Sequence, residues 1–382
     1  MKILVVSVDY RPMFGGVATY TYNIAKSFHA QGSSIKVIAP NFKNSKEFDA
    51  KQKFETSRIT NLPVIREISL FFHLLLNAGK YDIVYDCQWY PCGLLSYFVR
   101  LFTGQKYVIV THGCEALDSE TSFWKRMKKK FRWLRVAAYN NSILNIAVSH
   151  YTKGLLAGAG AKKEKLAVFN NGVDVNELKN AKINKNLKKQ LGLEGKKIIL
   201  SINRLEDYKG NDIVIKAMPE ILKKVPNAVY LIGGSGYYKQ VLEDLIKKYK
   251  LEDNVRLAGY IPEKDVPSYF SMCDVFAMIS RINYKIPKVE GFGIVFLEAG
   301  YFRKPVIGGN SGGIPDAVLD NKTGLLVNPT AQKDVSSAVV RILKNKKLAN
   351  KLGEAGHKLV VNELNWSNIT KEILAALKQK IQ

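Results

Sequence analysis

Cysteine is scarce in this 382-residue chain, long apolar runs are absent, and acids are outnumbered by bases. The four cysteines (Cys87, Cys92, Cys114, Cys273) form no C-x-x-C pair and show no paired His/Cys spacing. A zinc site and a disulfide framework are therefore not expected, and buried thiols in a reducing cytoplasm are. The longest apolar runs, such as Ile68–Asn77 and Ile143–Val148, are short or interrupted. They fall below the roughly 20 residues that cross a bilayer. The opening run Met1–Val8 lacks a long apolar region and a small-residue cleavage site, and it reads as a first strand. G-x-G-x-x-G is missing as well, which disfavours a dinucleotide cofactor. There is no Asp-x-Asp triplet, no solenoid repeat and no low-complexity segment.

The shortage of acids leaves a net charge of +25, spread as +12 over residues 1–180 and +13 over the remainder. Such a charge favours phosphate-rich partners. The length suits two domains. Short apolar runs (Lys2–Val8, Ser34–Pro40, Asp82–Tyr85, Tyr107–Thr111, Leu144–Val148, Leu166–Asn170) alternate with helical patterns (Val17–Ala30, Leu62–Asn77, Gly93–Phe102). After a polar stretch at Asn176–Lys189 the alternation restarts, with strands at Lys197–Ile202, Ala228–Gly233, Asn254–Leu257, Val275–Met278 and Pro305–Gly308. Helices are expected over Asn211–Lys224, Tyr238–Tyr249 and Lys333–Leu343. The expected class is α/β, with two Rossmann-like domains facing a cleft: 1–175, then 176–364, with 365–382 as a final helix.

Ligands of parallel sheets bind beyond the carboxyl ends of strands. Three such places stand out. Gly15 and Gly16 open a helix after the first strand; they are either a tight turn or a place where backbone N–H groups meet an anion. Arg204 and Lys209 follow strand Lys197–Ile202, and they either converge on one diphosphate or belong to an ordinary basic loop. The third is Glu290-Gly291-Phe292-Gly293-Ile294-Val295-Phe296-Leu297-Glu298. With a helix starting near Gly293, Glu298 falls in its second turn, flanked by apolar neighbours that weaken the reading of a solvated face. Glu298 suits a ribose diol and Glu290 sugar hydroxyls, while N–H groups of Gly291, Phe292 and Gly293 can meet oxygens between them.

The E-x7-E segment, Arg204 with Lys209-Gly210, and Gly15-Gly16 resemble the retaining GT-B glycosyltransferases that carry the E-x7-E signature. The likeness runs through Asn170–Asp174 and Ser311–Asp316, and Val289–Glu298 is particularly similar to the phosphatidylinositol mannosyltransferase branch. The resemblance implies an acceptor site on the first domain, a nucleotide-sugar site on the second, and a C-terminal helix near Trp366–Gln379 that crosses back. It implies that Arg204 and Lys209 hold the diphosphate and Glu298 the ribose. Glu290, Gly291, Phe292, Gly293 and Ile294 would hold the transferred sugar, and Gly16, beside Gly15, would meet phosphate on closure. His112, in Thr111-His112-Gly113, matches the family's first-domain histidine near the reacting sugar. One departure is Gly234-Ser235-Gly236-Tyr237, where many relatives have Gly-x-Gly-Pro; this leaves the base-side contacts near Arg256 and Gly259–Pro262 open.

The expected activity is transfer of a hexose from a UDP- or GDP-linked donor to a glycan or lipid-linked acceptor, in envelope polysaccharide or glycolipid synthesis. The nucleotide sugar is a co-substrate; no cofactor and no metal are expected, because Arg204 and Lys209 can take the place of a divalent ion. Residues 124–135 carry seven bases and no acid, with apolar residues at helical spacing through Ala138. Segment 123–138 thus suits either an anionic membrane surface or a core-packed helix with a solvated basic face. The first reading makes the enzyme cytoplasmic and peripheral on the inner face of the plasma membrane. Three rivals are a phosphorylase or epimerase of related fold, a basic nucleic-acid-binding protein, and a non-catalytic nucleotide-sugar-binding relative. No nucleic-acid motif supports the second.

Overall fold

A computed structural model describes residues 1–114, 132–283 and 288–381. The chain divides into two units, Met1–Asn171 with Trp366–Gln382, and Gly172–Asn365.

The first unit comprises, in order, β1 (Lys2–Val6), α1 (Gly16–Ala30), β2 (Ser34–Pro40), α2 (Ser45–Asp49), β3 (Glu55–Ile59), α3 (Ile65–Asn77) and β4 (Ile83–Asp86). It continues with α4 (Leu94–Thr103), β5 (Tyr107–Thr111), α5 (Arg132–Asn141), β6 (Leu144–Ala147), α6 (His150–Gly158) and β7 (Leu166–Val168). Its strands pair in parallel in the order β3-β2-β1-β4-β5-β6-β7. Strands β1, β4, β5 and β6 are buried almost throughout, as expected when helices cover both faces of a parallel sheet. Ser149 accepts a hydrogen bond from the Thr152 amide and caps α6 (3.1 Å).

The second unit holds α7 (Val175–Lys179), α8 (Leu187–Gln190), β8 (Lys197–Ile202), α9 (Asn211–Lys224), β9 (Ala228–Gly233), α10 (Lys239–Lys248), β10 (Val255–Gly259) and α11 (Val266–Met272). After these come β11 (Val275–Met278), α12 (Ile294–Tyr301), β12 (Val306–Gly309), α13 (Ile314–Ala317), β13 (Gly324–Val327), α14 (Gln332–Lys344) and α15 (Lys346–Asn362). The strand order is β10-β9-β8-β11-β12-β13, again parallel. Helix α12 lies close to α15, and a Cβ at Gly353 would stand 2.1 Å from the Arg303 carbonyl oxygen. Only glycine permits that approach.

In both sheets the strand order reverses direction once, between β1 and β4 and between β8 and β11. Such a switch point opens a crevice beyond the carboxyl ends of the strands. Cys87, Cys92 and Cys273 are buried, whereas Cys114 is exposed because it lies beyond the end of β5; the expectation of four buried thiols is corrected there. Residues 123–131 of the basic segment lie outside the described residues, and 132–138 form part of α5.

The last helix, α16 (Trp366–Ile381), returns to the first unit and packs on α1. Ser27 and Thr370 share a hydrogen bond of 2.7 Å, and Gln31 donates to the Ser367 carbonyl at 2.9 Å. Trp366 is buried edge-on against Tyr20, with ring centroids 5.5 Å apart. Removal of that indole should cost the first unit about 3–5 kcal/mol. Trp366→Ala is therefore expected to unfold at clearly lower denaturant, and an unchanged midpoint would show that α16 is not part of the unit's core.

Candidate active site

At the switch point of the second unit, the loop after β8 carries Arg204 and Lys209. Its path is fixed by buried polar contacts. Asn203 and Asn211 exchange amide hydrogen bonds (3.2 and 2.9 Å), Tyr230 donates to Asn211 (3.0 Å), and Ser201 bonds the same phenol (2.7 Å). A backbone contact fixes it from the other side: a Cβ at Gly234 would lie 1.8 Å from the Asn203 carbonyl oxygen, and one at Gly236 2.3 Å from that of Leu205. The Gly-Ser-Gly turn thus lies directly against the loop, and the Leu205 amide donates to Ser235 (2.9 Å). The neighbouring loop, after β11, is joined by the Arg281 amide, which donates to the Tyr208 carbonyl (2.8 Å).

Lys209 Nζ donates to Glu290 Oε2 at 2.5 Å, with 12% and 16% of the two side chains exposed. Burial alone would lower the lysine value, but the Glu290 carboxylate and the Tyr208 phenol overcome it and hold Lys209 above the ordinary range. The ammonium therefore stays charged although nearly buried. Arg204 is mostly exposed and lies 3.5 Å from Glu206, whose other oxygen takes Lys288 Nζ at 2.5 Å. The Tyr208 ring lies between Lys209 and Lys288, 4.9 and 5.9 Å from the two ammonium groups. Arg204, Lys209 and Glu290 are thus joined in one network, together with three residues the sequence reading did not single out: Glu206, Tyr208 and Lys288. The only sequence signal for them was position, two in the same loop and one two places before Glu290.

Glu290 is held from its backbone, where its carbonyl accepts from the Gly313 amide (2.8 Å). Gly291, Phe292 and Gly293 are buried, and Gly293, at φ 98, leads into α12. Helix α12 starts at Ile294, so Glu298 lies in its second turn, as the spacing predicted. The partly exposed Glu298 and the helix N-terminus belong to the same short segment as Glu290. Tyr237, in the turn that departs from Gly-x-Gly-Pro, is exposed and donates to Asp207 Oδ1 at 2.8 Å. Arg256 donates to the Leu191 carbonyl at 2.7 Å.

In the first unit, Gly15 and Gly16 are exposed at the N-terminus of α1, with no atom within 4 Å of either ideal Cβ. Backbone N–H groups there can approach an anion without obstruction. His112, just beyond β5, has Nε2 3.0 Å from the Cys87 carbonyl and its ring edge-on to Tyr20, centroids 4.8 Å apart. A carbonyl can only accept, so Nε2 donates; a neutral imidazole then keeps its lone pair at Nδ1. Across the switch point, Gln88 Nε2 donates to Asp9 Oδ2 at 2.5 Å and ties the loops after β1 and β4. Among the described residues, no group of three His, Cys, Asp or Glu side chains stands together as a metal site.

Glu290→Gln would leave a nearly buried ammonium without its counter-charge, an expected loss of about 2–3 kcal/mol at neutral pH in urea unfolding. Because the folded-state value of Lys209 lies above the unfolded one, the pair's contribution is complete below about pH 10 and fades as pH rises through the folded value. The variant should lack that alkaline loss; equal midpoints for the two proteins at neutral pH would contradict the role of the pair.

Residues 183–359 match the family described as Glycosyl transferases group 1, and residues 14–177 match Glycosyltransferase Family 4. The GDP-mannose-dependent alpha-(1-6)-phosphatidylinositol monomannoside mannosyltransferase of Mycolicibacterium smegmatis is 28% identical over 95% of both chains. Its counterpart in Mycobacterium tuberculosis is 28% identical over 99% of this chain and 98% of the relative. Among solved structures, HepE of Anabaena in complex with UDP superposes with a TM-score of 0.82 at 20% identity, covering 99% of this chain and 100% of that one. The second unit thus carries a Glycosyl transferases group 1 domain, the first a Glycosyltransferase Family 4 domain, and the two parallel α/β units have the GT-B fold.

Proposed function

We propose that the chain transfers a mannosyl group from GDP-mannose to a lipid-linked glycan acceptor, with retention at the anomeric carbon and without a metal ion. The observation that carries the donor half is the ionic network at the β8–β11 switch point, where Lys209 pairs with Glu290, shortly before the N-terminus of α12, and Arg204 stands beside Glu206. The choice of sugar and base is supported by the mannosyltransferases that match along nearly the whole chain, which are named for GDP-mannose and for phosphatidylinositol monomannoside.

In this reading the bond between the anomeric carbon and the β-phosphate oxygen breaks, and charge develops on the leaving diphosphate. Arg204 offers a planar fork of donors and Lys209 a compact ammonium, and both stabilise that charge where it appears. Glu290 accepts from sugar hydroxyls while remaining the counter-ion of Lys209. Glu298 accepts from the ribose hydroxyls. The backbone of Gly291, Phe292, Gly293 and Ile294 meets the sugar and phosphate oxygens. For Gly15, Gly16 and His112 of the first unit we keep the roles the resemblance implies: phosphate for the two glycines and the reacting sugar for the histidine. The acceptor hydroxyl attacks from the face the diphosphate leaves, and its proton passes to the departing phosphate oxygen, which conserves the anomeric configuration.

No helix among the described residues is long and apolar enough to cross a membrane. With a lipid-linked acceptor, the enzyme would work in the cytoplasm as a peripheral protein on the inner face of the plasma membrane.

A hydrolysis screen over nucleotide sugars tests the donor without needing an acceptor. GDP-mannose should be turned over faster than UDP-glucose, and the rate should persist in EDTA. Lys209→Ala should lower turnover at saturating donor about 10²–10³-fold. Unchanged turnover in that variant would remove Lys209 from the chemistry, and a preference for UDP-glucose would reassign the donor.

A further inference from the structure

Helix α3 is apolar on two faces. Leu70 and Leu74 are buried in the core of the first unit. Ile65, Ile68, Phe72 and Leu76 recur at steps of three and four on another face, and each is more than half exposed. The end of α4 repeats the pattern, with Leu101 and Phe102 exposed by 59% and 76%. The two helices pack side by side, and each runs from the end of one strand to the start of the next. Their last turns therefore lie on the same edge of the sheet, opposite the edge that carries Gly15 and His112.

That edge is cationic. Arg100 directly precedes Leu101. Lys165, at the start of β7, donates to the carbonyls of Asn140 and Ser142 (2.8 and 2.7 Å). Partial burial and then the charges of Arg100 and Lys162 hold its ammonium below the ordinary range, with a further contribution from Lys380. Lys106, at the start of β5, donates to the carbonyl of Ile381 (2.8 Å). Glu164 stands among these bases, and Asp82, at the start of β4, is a second acid on the edge, where it accepts from the Lys2 amide (2.7 Å).

We infer that the α3–α4 face of the first unit docks on an anionic lipid bilayer, with Ile65, Ile68, Phe72, Leu76, Leu101 and Phe102 entering the acyl boundary and the adjoining bases meeting lipid headgroups. Side chains exposed to this degree project outward instead of lining a groove. A fluid apolar phase accepts projecting side chains without a complementary surface, whereas a folded partner would need pockets that match them. Helix α3 is about 20 Å long and can lie in the interface plane. Each base near the surface adds attraction to anionic headgroups. The inference stands on this surface alone, independent of which sugar is transferred and of the membrane contact expected at 123–138.

Co-sedimentation of the full chain with phosphatidylcholine vesicles, with and without phosphatidylglycerol, tests it. Binding should rise several-fold with phosphatidylglycerol and fall with salt. Phe72→Ser combined with Leu76→Ser should weaken vesicle binding about tenfold or more, while thermal stability and donor hydrolysis stay unchanged because both positions are exposed. Arg100→Gln with Lys162→Gln should abolish the preference for the anionic vesicles. Equal binding to neutral and anionic vesicles, or no loss in the Phe72/Leu76 double variant, overturns the inference. So does a lipid-free dimer of the unmutated chain that this double variant fails to form, which would assign the face to a second copy. Donor hydrolysis, read on the same preparations, separates failure of this surface from failure of the transferase reading.

Discussion

The ion pair between Lys209 and Glu290 joins two loops separated by 81 positions in sequence. Strand order makes the pair possible, because the sheet reverses direction between β8 and β11 and brings the loops after those strands side by side. The pair also fixes the charge state of the site. A lysine buried this far tends to lose its proton, and Glu290 prevents that. The role proposed for Lys209 at a leaving diphosphate depends on an ammonium that remains charged in a nearly closed place.

Glu206 extends the same logic. It lies between Arg204 and Lys288, so three cations are distributed over two carboxylates at one sheet edge. Cations arranged without anions would repel one another and loosen the loops that carry them. With the carboxylates present, the loops are held together and the cations still offer donors to an anionic ligand. The aromatic ring of Tyr208, between two ammonium groups, adds a weaker restraint of the same sign.

Much of this was legible in the sequence, and the limits of legibility are physical. Ser34–Pro40, Tyr107–Thr111, Lys197–Ile202 and Ala228–Gly233 appear as strands with the expected boundaries, because a strand buried on both faces has a continuous apolar run. Strand β3 was not expected: it lies at the sheet edge, and its Glu-Thr-Ser-Arg-Ile sequence is mostly polar. In the second unit, the placement of Glu298 followed from helical spacing around Gly293. The pairing of Lys209 with Glu290, and of Glu206 with Lys288, did not. Both partners lie about eighty positions away, and only the three-dimensional strand order brings them together. The exposed stripe of α3 was hidden for another reason: its apolar residues belong to one helical pattern with Leu70 and Leu74, and burial cannot be told from exposure by periodicity alone.

The first unit is discontinuous in sequence, whereas the second is one uninterrupted segment. During synthesis the second can close as soon as its own residues have emerged. The first must wait, because α16 is made after the whole of the second. Until then the face of α1 that receives Trp366 remains uncovered. Tyr20 touches Trp366 on one side and His112 on the other. The environment of His112 is therefore completed by a helix made after the whole of the second unit, so a chain cut before residue 366 could bring the loops after β8 and β11 together yet leave the histidine without its support.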